Sequence, residues 1–197
     1  MRVISGTARG RRLRAAGETR PTADLIKGAI FSMLEALAYK RGFEPDEDGN
    51  LAAALAWPRA LDLFAGSGGL GIEALSRGAE SAEFIEQDRD AARIIASNLR
   101  TIGLDERARV HQAPVATGLR SVRFPVDLVF ADPPYDATDA LTEAVAVLGE
   151  PGRLSPTSVV VLEQPWEAEP PAAVGPLPLA TTRRHGRTRI SLYSGQD

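Results

Sequence analysis

Cysteine is missing altogether from the 197-residue chain. That excludes a disulfide framework, a thiolate-bound metal and the cysteine-nucleophile route to a modified base carbon, and it fits a reducing, cytoplasmic setting. Histidine is almost as scarce. His111 and His185 are the two present, too few for most histidine-rich metal centres, so no metal is expected and both read as structural or surface residues. Long apolar runs are lacking too: no segment approaches the ~20 apolar residues that span a bilayer. The basic start "MRVISGTARGRRLR" has no apolar stretch behind it, so neither secretion nor membrane insertion is expected.

Excess charge of one sign is also absent, since the net charge is −3. Its distribution is uneven, however. Residues 1–20 carry Arg2, Arg9, Arg11, Arg12, Arg14 and Arg20 against the single acid Glu18, and residues 183–189, "RRHGRTR", carry four more arginines. One such run is as readily a solvated face. Two basic ends on one chain favour a polyanionic partner.

With 44% hydrophobic residues the chain can bury the core of one compact domain. Residues 2–14, around "GTARG", read as a hairpin or extended arm. "TADLIKGAIFSMLEALAYK" predicts a helix with Thr22 as N-cap, apolar residues at helical spacing, and Gly28 as a point of kinking or close contact. Residues 41–57 are acidic and then alanine-rich, a connecting loop or short helix before a core that begins at Trp57. From residue 58 strands alternate with helices: "RALDLF", "GLGIEALSRG", "SAEFIE", "RDAARIIASNLRTIG", "ARVHQ" and "VDLVFAD". Such alternation predicts right-handed βαβ crossovers and a largely parallel sheet. A helix over 139–148, a fifth strand at "TSVVVLE" and a hairpin turning at His185-Gly186 complete the expectation, with antiparallel strands added at the end. The divisions are therefore 1–40, 41–57 and 58–197.

In "LDLFAGSGGLG", Gly66, Gly68 and Gly71 match G-x-G-x-x-G directly after a strand and at the start of a helix, the context that marks a nucleotide-type cofactor site. Glu86, twenty positions past Gly66, stands where an acid would meet a ribose hydroxyl. Asp62 discriminates between cofactors. An acid four residues before the first glycine faces a diphosphate unfavourably but suits the ammonium and sulfonium charges of S-adenosylmethionine; the alternative is a turn-stabilising aspartate.

A second motif, "FADPPY" at 130–135, ends an apolar strand on a carboxylate, two prolines and an aromatic ring. Pro133 and Pro134 have fixed φ and no N–H, so they hold the strand-end carbonyls in place without satisfying them. The Asp132 side chain and the Pro133 carbonyl can accept hydrogen bonds from an exocyclic amine and aim its lone pair at an electrophilic methyl group, while Tyr135 offers a stacking face for a flipped base. Aspartate ionises near pH 4, so Asp132 acts as an acceptor at neutral pH. A rigid loop with a structural tyrosine is the plainer alternative.

"LDLFAGSGGLGIEALSRGA", "FIEQDRDAARIIASNL", "VDLVFADPPY" and "VVVLEQP", preceded by "RVISGTARGRRL" and "TRPTADLIKGAIFSML", resemble the RsmD-type 16S ribosomal RNA guanine-N2 methyltransferases over nearly the whole chain. The N-terminal segment is the specific part, because D-P-P-Y by itself also fits DNA adenine-N6 and cytosine-N4 methyltransferases. The resemblance implies a Rossmann-like class I S-adenosylmethionine-dependent methyltransferase fold: a mostly parallel seven-stranded sheet with an antiparallel C-terminal hairpin and a small N-terminal hairpin and helix extension. It implies transfer of a methyl group from S-adenosylmethionine to the exocyclic amine of guanine(966). It places Asp132, Pro133 and Tyr135 at the amine, and Asp62, Phe64, Ala65, Gly66, Ser67, Gly68, Glu86, Gln87 and Asp132 around the cofactor, with Gln112 and Ala113 near the adenine. Arg9, Arg11, Arg12, Arg14, Arg20 and Lys27 would face RNA. The implied partner is 16S RNA, the small subunit or an assembly intermediate, bound by a cytoplasmic monomer. The competing readings are a DNA amino-methyltransferase and a non-catalytic RNA-binding assembly factor.

Overall fold

A computed structural model of the chain describes residues 1–15, 23–44, 56–134 and 137–195. Thr22, Arg20, Tyr135 and residues 45–55 of the connecting segment lie outside them. The elements follow the expected alternation: α1 (Ala23–Lys40), β1 (Arg59–Leu63), α2 (Gly69–Ser76), β2 (Ser81–Glu86), α3 (Arg89–Ile102), β3 (Ala108–Gln112), α4 (Val115–Leu119), β4 (Val126–Ala131), α5 (Thr138–Leu148), β5 (Leu154–Pro165), β6 (Ala173–Val174), β7 (Leu177–His185) and β8 (Thr188–Ser194).

The strands form one sheet in the order β3-β2-β1-β4-β5-β8-β7-β6. β1 to β5 run parallel, whereas β8 is antiparallel to β5 and β7 to β8. Seven strands were expected from the sequence. The eighth, β6, is a two-residue piece that pairs only with Leu177 and Pro178 of β7, too short to show as a period in the sequence. The C-terminal hairpin turns where expected, with His185 paired to Thr188 across Gly186 and Arg187.

Period-two alternation divides the core between the two sheet faces. Leu128 and Phe130 of β4 and Val159 and Val161 of β5 pack with α1, α2 and the N-terminal arm, whereas Val129, Ala131, Val160 and Leu162 pack beneath α5. α1 is seated by Phe31, whose ring centroid lies 5.6 Å from that of Phe130. It runs unbroken through Gly28; a Cβ there would lie 3.9 Å from Ile4 Cδ1, so the glycine marks the contact with the arm rather than a kink. α3 begins on Asp88, whose carboxylate accepts from the N–H groups of Asp90 (3.0 Å) and Ala91 (2.8 Å), and ends at Gly103 with φ 73°.

The N-terminal arm is a tight reversal rather than a full hairpin, with one antiparallel bridge between Arg2 and Arg12. It buries Val3, Ala8 and Leu13 and is fastened to α2. Gly6, at φ 79°, brings its backbone so close to that helix that a Cβ would fall 1.8 Å from the Ser76 carbonyl oxygen. The fully buried Glu73 carboxylate accepts from the N–H groups of Ile4 (2.8 Å) and Ser5 (2.9 Å), is paired with Arg77 Nε at 2.8 Å and has Lys27 Nζ 3.4 Å away. Arg77 continues to Glu35 and lies over the Phe31 ring.

Lys27 thus departs from the expectation that it faces RNA. It is 3% exposed, and its ammonium donates to the Arg2 carbonyl at 2.6 Å. A single cation on an apolar helix face is turned inward when a buried carboxylate on a neighbouring helix can pair with it.

Removing the Glu73 charge leaves Lys27 and Arg77 with only the half-buried or exposed carboxylates of Asp24 and Glu35, a loss of about 3 kcal/mol. Glu73→Gln, which keeps the volume, should therefore lower folding stability by that amount in a urea titration; a loss below about 1 kcal/mol would show that the carboxylate charge contributes nothing net.

Candidate active site

Strand order reverses between β1 and β4, and in open α/β sheets ligands bind beyond the carboxyl ends of the strands at such a switch point. Here three acids meet. Asp62 is in β1, Glu86 ends β2, and Asp132 follows the last residue of β4; Leu63 is in register with Ile85 on one side and Ala131 on the other.

The Gly66–Gly71 corner is built by backbone constraint. Phe64 has φ 57°, a left-handed conformation that costs a bulky residue on the order of 1–3 kcal/mol, and Gly66 (φ 55°) and Gly68 (φ 79°) continue the turn. Such strain at the end of a buried strand belongs to a loop shaped for a ligand. Gly71 is required for packing: a Cβ there would meet Phe84 Cε1 at 2.4 Å, so α2 could not lie so close to β2.

The acids are held by the same corner. Asp62, 2% exposed, accepts from Gly71 N–H at 2.8 Å. Glu86 is also buried, and its two oxygens accept from the N–H groups of Gly66 (2.7 Å) and Asp88 (2.8 Å). Burial pushes the Asp62 carboxyl up to about 8; the hydrogen bond from Gly71 opposes this, while the charges of Asp132 and Glu86 add to it. Among the described residues no lysine or arginine forms an ion pair with Asp62 or Glu86. Around Asp62 and Glu86 the corner is acidic, and its donors are backbone amides.

This electrostatic character decides which cofactor fits. A dinucleotide places its pyrophosphate on the glycine-loop amides, but the amides of Gly66 and Gly71 already donate to carboxylates, and further anions would meet three acids. A cofactor with ammonium and sulfonium charges instead relieves the cost of ionising buried Asp62. The residues present thus fit S-adenosylmethionine, with Asp62, Glu86 and the loop from Phe64 to Gly68 as the group that would hold it. Gln87 is exposed beside Glu86. Gln112 donates from Nε2 to the Gln87 carbonyl at 3.2 Å, and Ala113 N–H reaches the Glu86 carbonyl at 3.0 Å. These residues extend the same rim toward β3.

On the other side of the switch point Asp132 is half-buried, Pro133 buried and Pro134 exposed. Arg9, Arg11, Arg12 and Arg14 are exposed along the arm. His111 pairs with Glu83 at 2.6 Å, and His185 lies in the exposed hairpin turn.

Asn98 has a larger role than its place on the apolar face of α3 suggested. Its amide exchanges hydrogen bonds with the Arg14 backbone, accepting at 2.8 Å and donating at 3.0 Å, and also donates to the Ser67 carbonyl at 3.1 Å. One side chain therefore ties the end of the basic arm to the cofactor loop. The available signal was a lone amide among Ala91, Ile95 and Leu99.

The fold and this corner define a Rossmann-like methyltransferase, and known structures agree. The solved structure described as "Putative methyltransferase yhhF from Escherichia coli" is similar over 100% of this chain and 99% of its own, with 31% identity and a TM-score of 0.77. A family model described as "Conserved hypothetical protein 95" matches residues 1–194. "Putative rRNA methyltransferase YlbH" of Bacillus subtilis is 37% identical over 98% of both chains, and "Ribosomal RNA small subunit methyltransferase D" of Escherichia coli is 30% identical over 98% of this chain and 89% of its own. The chain belongs to this RsmD-type family, whose cofactor is S-adenosylmethionine.

The raised Asp62 carboxyl gives stability a pH dependence of known sign. The unfolded chain loses this proton near pH 3.8 and the folded chain near about 8. Its stabilising contribution is thus complete below the lower value and lost as pH rises toward the upper one. Between about pH 4 and about pH 8 the cofactor-free protein should lose stability from this group as pH rises. Asp62→Asn should flatten that decline in thermal unfolding; an unchanged slope would mean that Asp62 is ionised throughout.

Proposed function

We propose that the protein transfers a methyl group from S-adenosylmethionine to the exocyclic N2 of a guanine in 16S ribosomal RNA. The observation that carries this reading is the delivery of Asp132-Pro133-Pro134 by β4 to the switch point, beside the corner formed by β1 and β2. The relatives named for small-subunit ribosomal RNA support the substrate class. The choice of N2 of guanine rests on the resemblance of the N-terminal segment.

When bound, S-adenosylmethionine supplies an electrophilic methyl group. The chain's own residues supply position. The target base leaves its stack and enters beside Asp132, whose carboxylate accepts from the amine N–H while the Pro133 carbonyl accepts from the second. Together they turn the nitrogen lone pair toward the cofactor corner. Tyr135 follows in sequence as the stacking surface. The exposed arginines of the arm hold phosphates, and the Asn98 link keeps that arm at the edge of the cofactor loop. No covalent enzyme intermediate is required. The work takes place in the cytoplasm on a monomeric enzyme.

The deciding experiment uses radiolabelled S-adenosylmethionine with small ribosomal subunits, free 16S RNA and duplex DNA from cells lacking the endogenous activity, followed by nucleoside analysis. N2-methylguanosine in the ribosomal samples alone is expected; label in DNA adenine or cytosine would replace this reading with DNA amino-methylation. Asp132→Ala should lower kcat by about 10²–10³ while cofactor affinity is largely kept, and unchanged turnover would remove Asp132 from the mechanism. Arg11→Ala with Arg12→Ala should weaken RNA binding and reduce its log–log salt slope by about 0.7 for each lost phosphate contact.

A further inference from the structure

Two arginines stack on one tryptophan at the other end of the site's rim. The Arg184 guanidinium carbon lies 4.7 Å, and that of Arg189 4.2 Å, from the ring centroid of Trp166. The main chain locks the arrangement. Arg189 donates to the Trp166 carbonyl at 2.6 Å, Trp166 N–H donates to the Arg187 carbonyl at 2.8 Å, and Arg184 Nε donates to the Gly186 carbonyl at 3.0 Å.

Strand register places this cluster. Ala131 of β4 is level with Leu162 of β5, and β5 continues to Pro165, which pairs with Thr188 at the start of β8. The hairpin turn therefore stands beyond the carboxyl ends of β4 and β5, the edge that presents Asp132. β8 lies two strand spacings from β4, about 10 Å. Arg183, Arg184 and Arg187 are exposed, and residues 177–189 contain no acid. Among the described residues none of Arg183, Arg184, Arg187 and Arg189 is in an ion pair.

Resting on the ribosomal RNA reading above, we infer that this hairpin tip is a second phosphate-binding lip that grips the RNA backbone on the side of the target nucleotide opposite the N-terminal arm. The acidic corner explains the need for two grips. Glu86 and Asp132 repel phosphate from the centre of the rim, so a base enters there with its backbone held at the flanks. The arm supplies one flank at Arg14, beside the Ser67 loop; the hairpin supplies the other. Open sheet edges often carry charge merely to discourage pairing, but two guanidiniums fixed on an aromatic ring form a preorganised anion surface, with less rotamer freedom to lose on binding.

The test compares the full-length wild type with Arg184→Ala/Arg187→Ala, which removes one member of the stacked pair and one exposed arginine of the turn. Arg109→Ala/Arg123→Ala, at the cavity of about 430 Å³ among the amino ends of β1 to β3, matches the charge change. Direct binding to 16S RNA across a salt series and methyl transfer are both measured. The hairpin variant should bind about tenfold or more weakly, with a log–log salt slope shallower by about 1.4, and with kcat at saturating RNA and the KM for S-adenosylmethionine unchanged. The control should bind like the wild type. Hairpin binding and slope equal to the wild type, or a defect confined to self-association, would overturn the inference while wild-type methylation left the proposed function standing. Failure of the wild type to bind or methylate ribosomal RNA would overturn both.

Discussion

A single buried carboxylate, Glu73, gathers the N-terminal arm, α1 and α2 at one point. It lies on the helix that follows the glycine corner and satisfies two arm amides while facing two cations, Lys27 from α1 and Arg77 from its own helix. Because α2 packs onto β2 at Gly71, the arm that Glu73 holds is indexed to the cofactor loop. Without it the arm would retain the apolar contacts of Val3, Ala8 and Leu13 and its bonds to Ser76 and Asn98, but the Ile4 and Ser5 amides would lose their acceptor.

The site is governed by the opposite arrangement. Around Glu73 negative charge is matched inside the protein, whereas around Asp62 and Glu86 the matching donors are backbone amides. Amides orient a carboxylate but do not neutralise it. The corner is therefore prepared for a cation, and it bars phosphate from its centre. Basic groups accordingly stand at the flanks of the rim, on the arm beside Ser67 and on the hairpin beyond β5. This division between an acidic pocket and basic edges suits a reaction in which a cationic donor and a polyanionic acceptor must meet.

The backbone adds its own constraint. Phe64 is held in a left-handed conformation, and Gly6 is pressed against Ser76. One shapes the cofactor loop and the other seats the arm. Asn98 joins the two through three hydrogen bonds, so a shift of the arm is felt at the Ser67 carbonyl.

Sequence by itself determined the alternation of strands and helices, the glycine corner, Asp132 at a strand end and the hairpin turn at Gly186, because each is written in a short window as a period, a turn residue or a spacing. Tertiary structure alone decided that Lys27 turns inward, that Glu73 is a hub, that the buried Asn98 links the arm to the cofactor loop, and that Trp166 gathers arginines beside the Asp132 edge. Those outcomes depend on partners far away in the chain, 68 residues between Ser5 and Glu73 and 84 between Arg14 and Asn98. Strand order and helix docking bring such pairs together, and no local pattern encodes the distance between them.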